Sequence, residues 1–176
     1  MNIRWQTYFM RIAREVAKNS RCLSRQIGVV VVRDNSILST GYNGPPRGIP
    51  HCNTRHETDE NIKILYDRLK HDKSNFELDI NKCPRQNLGF QSGEGLSLCT
   101  AVHAEVNAIA HAAKEGVSLK YATMIMTCGV PCRNCLATII NSGIITLYVP
   151  HIEFYDRTSD FILSTSQLNL CLYEGD

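Results

Sequence analysis

Three side chains of types that can bind zinc and one that can move protons fall into two short segments of this sequence. His103-Ala104-Glu105 carries an imidazole and a carboxylate, and Pro131-Cys132-Arg133-Asn134-Cys135 carries two thiols. One imidazole and two thiolates are a ligand set for a single Zn2+. Three protein ligands leave a tetrahedral ion one open position for water, which marks a catalytic site rather than a purely structural one. Zinc lowers the pKa of such a water to about 7. Glu105 is not needed as a ligand, which makes it the candidate catalytic base and acid. A structural zinc ribbon would use a fourth protein ligand and have no role for Glu105.

Each of these residues needs an element to hold it. Residues 100–113 read as a helix with His103 and Glu105 in its first turns, and residues 132–141 as a second helix stopped by Gly143. Two cysteines at a helix start can place both sulfurs on one ion, and the helix dipole favours their thiolates. Two helix N-termini would then face one another across the metal. Upstream, Trp5, Phe9, Ile12, Ala13 and Val16 recur at helical spacing and predict an amphipathic helix over 3–19. Residues 27–32 and 37–42 read as strands joined tightly at Asp34-Asn35, with further strands over 121–127, 144–149 and 168–173. Strands alternating with helices predict an α/β domain with helices on both faces of a mixed sheet. Residues 51–98 are charged and poor in strand pattern, apart from a helix over 60–70. Their apolar content is too low for a second domain, so they read as an insertion within a single domain spanning 1–176.

The composition of 176 residues, 43% apolar, suits one full-sized core. No apolar run approaches the ~20 residues of a membrane helix, and the first residues lack a secretory h-region. The expectation is a cytoplasmic protein with no membrane partner. Eight cysteines in a reducing compartment then suggest metal or catalysis rather than disulfides. A net charge of +2 is too small for bulk polyanion binding, so nucleic acid is not an expected partner. The early basic residues Arg4, Arg11, Arg14, Lys18, Arg21 and Arg25 read mostly as a solvated helix face.

The H-x-E…P-C-x-x-C pattern is a known signature of zinc nucleobase deaminases, and the sequence resembles the cytidine deaminase superfamily. Within it, the chain is similar to the deoxycytidylate (dCMP) deaminases. The resemblance runs through Gly28-Val29-Val30-Val31-Val32, Gly41-Tyr42-Asn43-Gly44-Pro45, His103-Ala104-Glu105-Val106-Asn107, the Cys132/Cys135 segment and Ile139-Ile140-Asn141-Ser142-Gly143. The zinc motif marks the superfamily, and the Gly-Tyr-Asn-Gly-Pro run narrows it. The resemblance implies a three-layer α/β/α fold with a five-stranded mixed sheet, and a homo-oligomer, with a hexamer favoured. It implies hydrolytic deamination of dCMP to dUMP and ammonia, supplying dUMP for thymidylate synthesis. Glu105 would move the proton from water to the ring nitrogen and the leaving amine, and Asn43 would hold the deoxyribose hydroxyl. It also implies dCTP and dTTP as effectors, with Mg2+ accompanying the triphosphate and Gly41, Tyr42 and Gly44 forming an effector loop. Arg25, Arg47 and the Tyr155-Asp156-Arg157 segment are the candidate phosphate and substrate contacts.

Four more cysteines, Cys22, Cys52, Cys83 and Cys99, stand where many bacterial and phage members of the family carry structural-zinc ligands. A closed second Zn2+ site would tie down 51–98 and add its binding free energy to folding. The stretch between Cys52 and Cys83 is longer than in the family, which leaves His51 or His56 as a replacement for Cys83. Cys128 and Cys171 read as core residues, and His71, His111 and His151 lack ligand spacing. Two other functions are weighed against the leading one. A deaminase acting on an unstacked base in single-stranded nucleic acid would call for a more basic face. A competence-related, non-enzymatic partner protein would have no need of Glu105.

Overall fold

Val29, Val30, Val31 and Val32 are each at most 1% exposed. A strand that buries consecutive residues must be covered on both faces, and the structure is built around that requirement. The computed structural model describes residues 1–72, 76–91, 93–154 and 156–175. In chain order the elements are α1 (Ile3–Ala17), β1 (Gly28–Arg33), β2 (Ser36–Tyr42), α2 (Arg55–Thr58), α3 (Glu60–Asp72), α4 (Pro84–Asn87), a 3-10 turn (Leu96–Leu98), α5 (Ala104–Lys114), β3 (Thr123–Met126), α6 (Arg133–Asn141), β4 (Thr146–Val149), α7 (Arg157–Thr165) and β5 (Asn169–Leu172). The chain divides into two compact units. One comprises residues 1–20, 26–43 and 103–176, and the other comprises 21–25 and 44–102.

The first unit holds a five-stranded sheet in the order β2-β1-β3-β4-β5. β1 runs antiparallel to both β2 and β3, while β3, β4 and β5 are mutually parallel. The expected three-layer α/β/α fold with a mixed sheet is the one observed. Val30 and Val32 face α1 and pack with Phe9, Met10, Ala13, Ile125 and Tyr148. Val29 and Val31 point the other way, into a core shared with Ala104, Ala108 and Ala112 of α5 and Leu136 and Ile139 of α6. The β1–β2 connection turns through Asp34 and Asn35, both at positive φ, as a tight primed hairpin requires.

Glycine allows α1 to lie against β1. A Cβ on Gly28 would run into the Ala13 carbonyl and the Ala17 amide, both backbone atoms with no freedom to swing away.

Several boundaries differ from the sequence expectations. The helix expected from residue 100 starts at Ala104, because Val102 is held extended by two backbone hydrogen bonds with Gly44 (3.1 and 2.8 Å). The strand expected over 121–127 is confined to 123–126. Tyr121 takes a left-handed φ of 64° and its amide donates to the Gly143 carbonyl at 2.7 Å, so the chain is still turning there. Helix α7 was not anticipated, since its Ser- and Thr-rich sequence masks the helical spacing of Phe161, Ile162 and Leu163. The Asp156-x-x-Ser159 cap was its one legible signal.

The second unit is helical, with Ile62 and Tyr66 of α3 buried together with Cys83. Arg55 is buried too, and its guanidinium donates to the Asp59 carboxylate and to the Leu98 carbonyl (2.6 Å). The other Asp59 oxygen caps α3 by accepting from the Asn61 and Ile62 amides. Burial alone would raise the Asp59 pKa, but Arg55 and these two amides outweigh it and hold the carboxyl below the usual range.

Two predictions come from these contacts. Gly28→Ala should cost about 1–3 kcal/mol in chemical denaturation through overpacking. Gly44→Ala, where an added Cβ meets nothing within 4 Å, should stay within about 0.5 kcal/mol of the parent. The second concerns pH. Because the folded pKa of Asp59 is depressed, its stabilisation is complete above the unfolded value of about 3.9 and is lost as pH falls through the folded value. Hydrogen exchange in residues 54–72 should therefore accelerate below about pH 4, and Asp59→Asn should flatten that acid dependence. An unchanged acid dependence in the variant would contradict the assignment.

Candidate metal centre and active site

Two helices begin at the candidate ligands. His103 is the N-cap of α5 and Cys132 the N-cap of α6, each with an extended backbone (ψ 151° and 160°). Cys135 lies in the first turn of α6 and is buried, while His103 reaches the surface. The ligand atoms of His103, Cys132 and Cys135 all lie within 4.8 Å of one another, and among the described residues this is the group of three or more metal-binding side chains drawn that close. His103 Nδ1 is 3.2 Å from Cys135 Sγ and 3.7 Å from Cys132 Sγ. A tetrahedral zinc with ordinary Zn–N and Zn–S bonds separates such atoms by about 3.5 Å, so the donor set fits the ion.

The electrostatics agree with that fit. Cys132 is pushed down to about 4, chiefly by the thiol of Cys135 and then by the His103 ring. Cys135 is pushed up because its proton is the one held against Cys132, and burial adds to this. Glu105 is only 4% exposed, and its carboxyl is within hydrogen-bonding reach of Cys135. Burial raises its pKa, as suits a group that must both accept and return a proton.

The seat of this cluster is set by β2. A Cβ on Gly41 would collide with the Ala104 carbonyl and the Ala108 amide, so Gly41 is where α5 touches the sheet, at the residue between His103 and Glu105. Tyr42 is exposed, and its carbonyl accepts from Asn107 of α5 at 2.8 Å. Asn43 is buried, and its Oδ1 accepts from the Ile27 amide at 2.8 Å while its carbonyl accepts from Ser20 Oγ at 2.7 Å. These bonds fix the direction of the Asn43 carboxamide. Ser20 and Ile27 went unnoticed in the sequence because nothing in their spacing marks them. Asp156, in the segment expected to contact phosphate, instead accepts from the Arg133 and Ser159 amides through its carboxylate. Tyr155 lies outside the described residues.

In the second unit, Arg25 and Arg47 are exposed and Gly44 is buried in its bridge to Val102. The Cys52 thiol is pushed up to about 11, by burial first and then by Cys83, Cys22 and Cys99. Cys83, Cys22 and Cys99 thus lie near enough to Cys52 to act on it, but no three of these four sulfurs are within 4.8 Å of one another. Next to Cys52, His51 Nδ1 is buried with no hydrogen-bond partner, and next to Cys99 so is Thr100 Oγ1.

Known proteins resemble this chain over most of its length. A family model described as the cytidine and deoxycytidylate deaminase zinc-binding region matches residues 3–150. A deoxycytidylate deaminase of Schizosaccharomyces pombe is 34% identical over 80% of this chain. The chain spans about a third of the length of that relative, 35%. A deoxycytidylate deaminase of Mycobacterium phage D29 is 32% identical, over 83% of this chain and 94% of the phage protein. A dCMP deaminase from the cyanophage S-TIM5, solved in complex with dCMP and dUMP, superposes with a TM-score of 0.65 at 21% identity and covers 98% of both chains.

Proposed function

The chain belongs to the cytidine and deoxycytidylate deaminases, and we propose that it is a zinc-dependent deoxycytidylate deaminase, hydrolysing dCMP to dUMP and ammonia for thymidylate synthesis. The observation that carries this reading is the buried Glu105 carboxyl set against a three-ligand cluster whose donors match zinc. The phage D29 deoxycytidylate deaminase, which this chain nearly spans, supports dCMP as the substrate.

His103, Cys132 and Cys135 would hold the ion. When bound, zinc supplies the Lewis acidity that makes water a competent nucleophile near neutral pH. Glu105 takes a proton from that water, gives it to the ring nitrogen beside the amidine-like carbon, and then carries the second proton to the amine. The new carbon–oxygen bond replaces the carbon–nitrogen bond, and ammonia leaves. The raised pKa of Glu105 suits both transfers. The fixed carboxamide of Asn43 is the group we assign to the deoxyribose hydroxyl, and Arg25 is the exposed cation we assign to the phosphate. Tyr155 is proposed as a further substrate contact from the sequence alone.

We assign a second, structural zinc to Cys22, Cys52, Cys83 and Cys99. The influence of Cys83, Cys22 and Cys99 on Cys52 and the buried His51 Nδ1 without a hydrogen-bond partner support this assignment. Ion binding would displace protons from the ligating thiols, and would tie down 51–98 in what we read as one deaminase domain. A homo-oligomer, with a hexamer favoured, and dCTP and dTTP as effectors at the Gly41, Tyr42 and Gly44 loop, with Mg2+ on the triphosphate, complete the proposal.

Two measurements test these assignments. Ammonia release from dCMP should fall by roughly 10²–10⁴-fold in Glu105→Gln with zinc content unchanged. Turnover that survives this substitution would remove Glu105 from the chemistry. The purified protein should carry two zinc ions per chain by elemental analysis. Cys99→Ser should lower that to one and reduce the melting temperature, whereas Cys132→Ser should lower it to one with activity abolished. A parent protein with a single zinc per chain, lost in Cys132→Ser, would overturn the second site.

A further inference from the structure

Of the two cysteine ligands, Cys132 has the weaker support from its helix. It stands outside α6 as its N-cap and is only partly buried, whereas Cys135 is inside the first turn and 2% exposed. The peptide that follows Cys132 is nevertheless held at both ends. Its carbonyl, that of Cys132, accepts from the Leu136 amide at 3.0 Å. Its N–H, that of Arg133, donates to Asp156 Oδ2 at 3.3 Å. The other carboxylate oxygen, Oδ1, accepts from the Ser159 amide at 2.7 Å and caps α7. One carboxylate therefore closes two helix N-termini and ties the start of α6 to the start of α7.

From this clamp we propose that Asp156 is a positioning residue for the metal centre, fixing the Cys132–Arg133 peptide and through it the direction of the Cys132 thiolate. The proposal rests on the reading of His103, Cys132 and Cys135 as zinc ligands. Asp156 does not touch the ion or the substrate. It removes freedom from a ligand that stands outside its helix, so its loss should speed metal release. Groups that orient a ligand in this way, when mutated, typically change metal affinity by about 10–100-fold.

Serine separates this role from ordinary helix capping. A serine hydroxyl is a good N-cap, but it has a single oxygen on a shorter side chain and cannot serve both Ser159 and Arg133. The zinc-loaded parent, Asp156→Ser and Asp156→Ala would each be mixed with a chromogenic chelator, and zinc release followed in time. Thermal unfolding of each loaded protein would be recorded in parallel. His103→Ala identifies the release phase that belongs to this centre, because that phase should be missing in it. The expected result is a roughly 10–100-fold faster release of that phase in Asp156→Ser, with a melting temperature close to the parent's, and a similar acceleration in Asp156→Ala with a lower melting temperature. Release at the parent's rate in Asp156→Ser overturns the proposal, and does so also if Asp156→Ala is fast, since the effect would then come from capping α7. A parent protein with no His103-dependent zinc overturns the metal-centre reading itself, and this inference with it.

Discussion

The burial of β1 on both faces is the constraint from which the first unit follows. Val29 and Val31 need one apolar layer and Val30 and Val32 need another, and neither can be supplied by the sheet itself. Covering four fully buried valines contributes roughly 1.5–3 kcal/mol each relative to exposure, so the helices cannot drift from the strand without a large loss. The approach is closer than side chains would allow. At Gly28 the backbone of α1 rests on β1, and at Gly41 the backbone of α5 rests on β2. Helix positions set by backbone contact leave little room for rotation or sliding.

That rigidity reaches the metal centre directly. Gly41 meets the carbonyl of Ala104, the residue between His103 and Glu105, so the sheet fixes the imidazole and the carboxyl together. The thiols arrive from the other side of the same core, on a helix anchored by Leu136 and Ile139. Two helix N-termini thus converge where thiolates must be stabilised, and the positive ends of their dipoles act in that direction. Glu105 meets the opposite demand: it is buried, and its proton is held more tightly than in water. The two behaviours differ because Cys132 gains donors from Cys135 and His103 while Glu105 loses solvent.

Much of this was legible in the sequence. The spacing of Trp5, Phe9, Ile12, Ala13 and Val16 predicted α1 closely, and the valine run predicted β1, because apolar periodicity is a local property. The boundaries that slipped were those set by non-local bonds. Val102 is held out of α5 by Gly44, and Tyr121 is held out of β3 by Gly143. Helix α7 escaped notice since its first turn is Ser- and Thr-rich and its apolar side chains are few. The ligand set was legible as residue types at a set spacing, which the chemistry of the metal restricts to a few patterns.

By itself, the sequence determined which side chains could bind zinc and carry protons, and which strands and helices would present them, since both depend on residue type and short-range spacing. Only the tertiary structure decided how those side chains are used. It directed Asn43 Oδ1 to the Ile27 amide, brought Cys22, Cys83 and Cys99 close enough to Cys52 to act on its thiol, buried Glu105, and gave Asp156 two helix ends to hold. Each of these depends on groups far apart in the chain, and a hydrogen bond or a desolvation is fixed by where the partner's atoms lie in space, which no local pattern encodes.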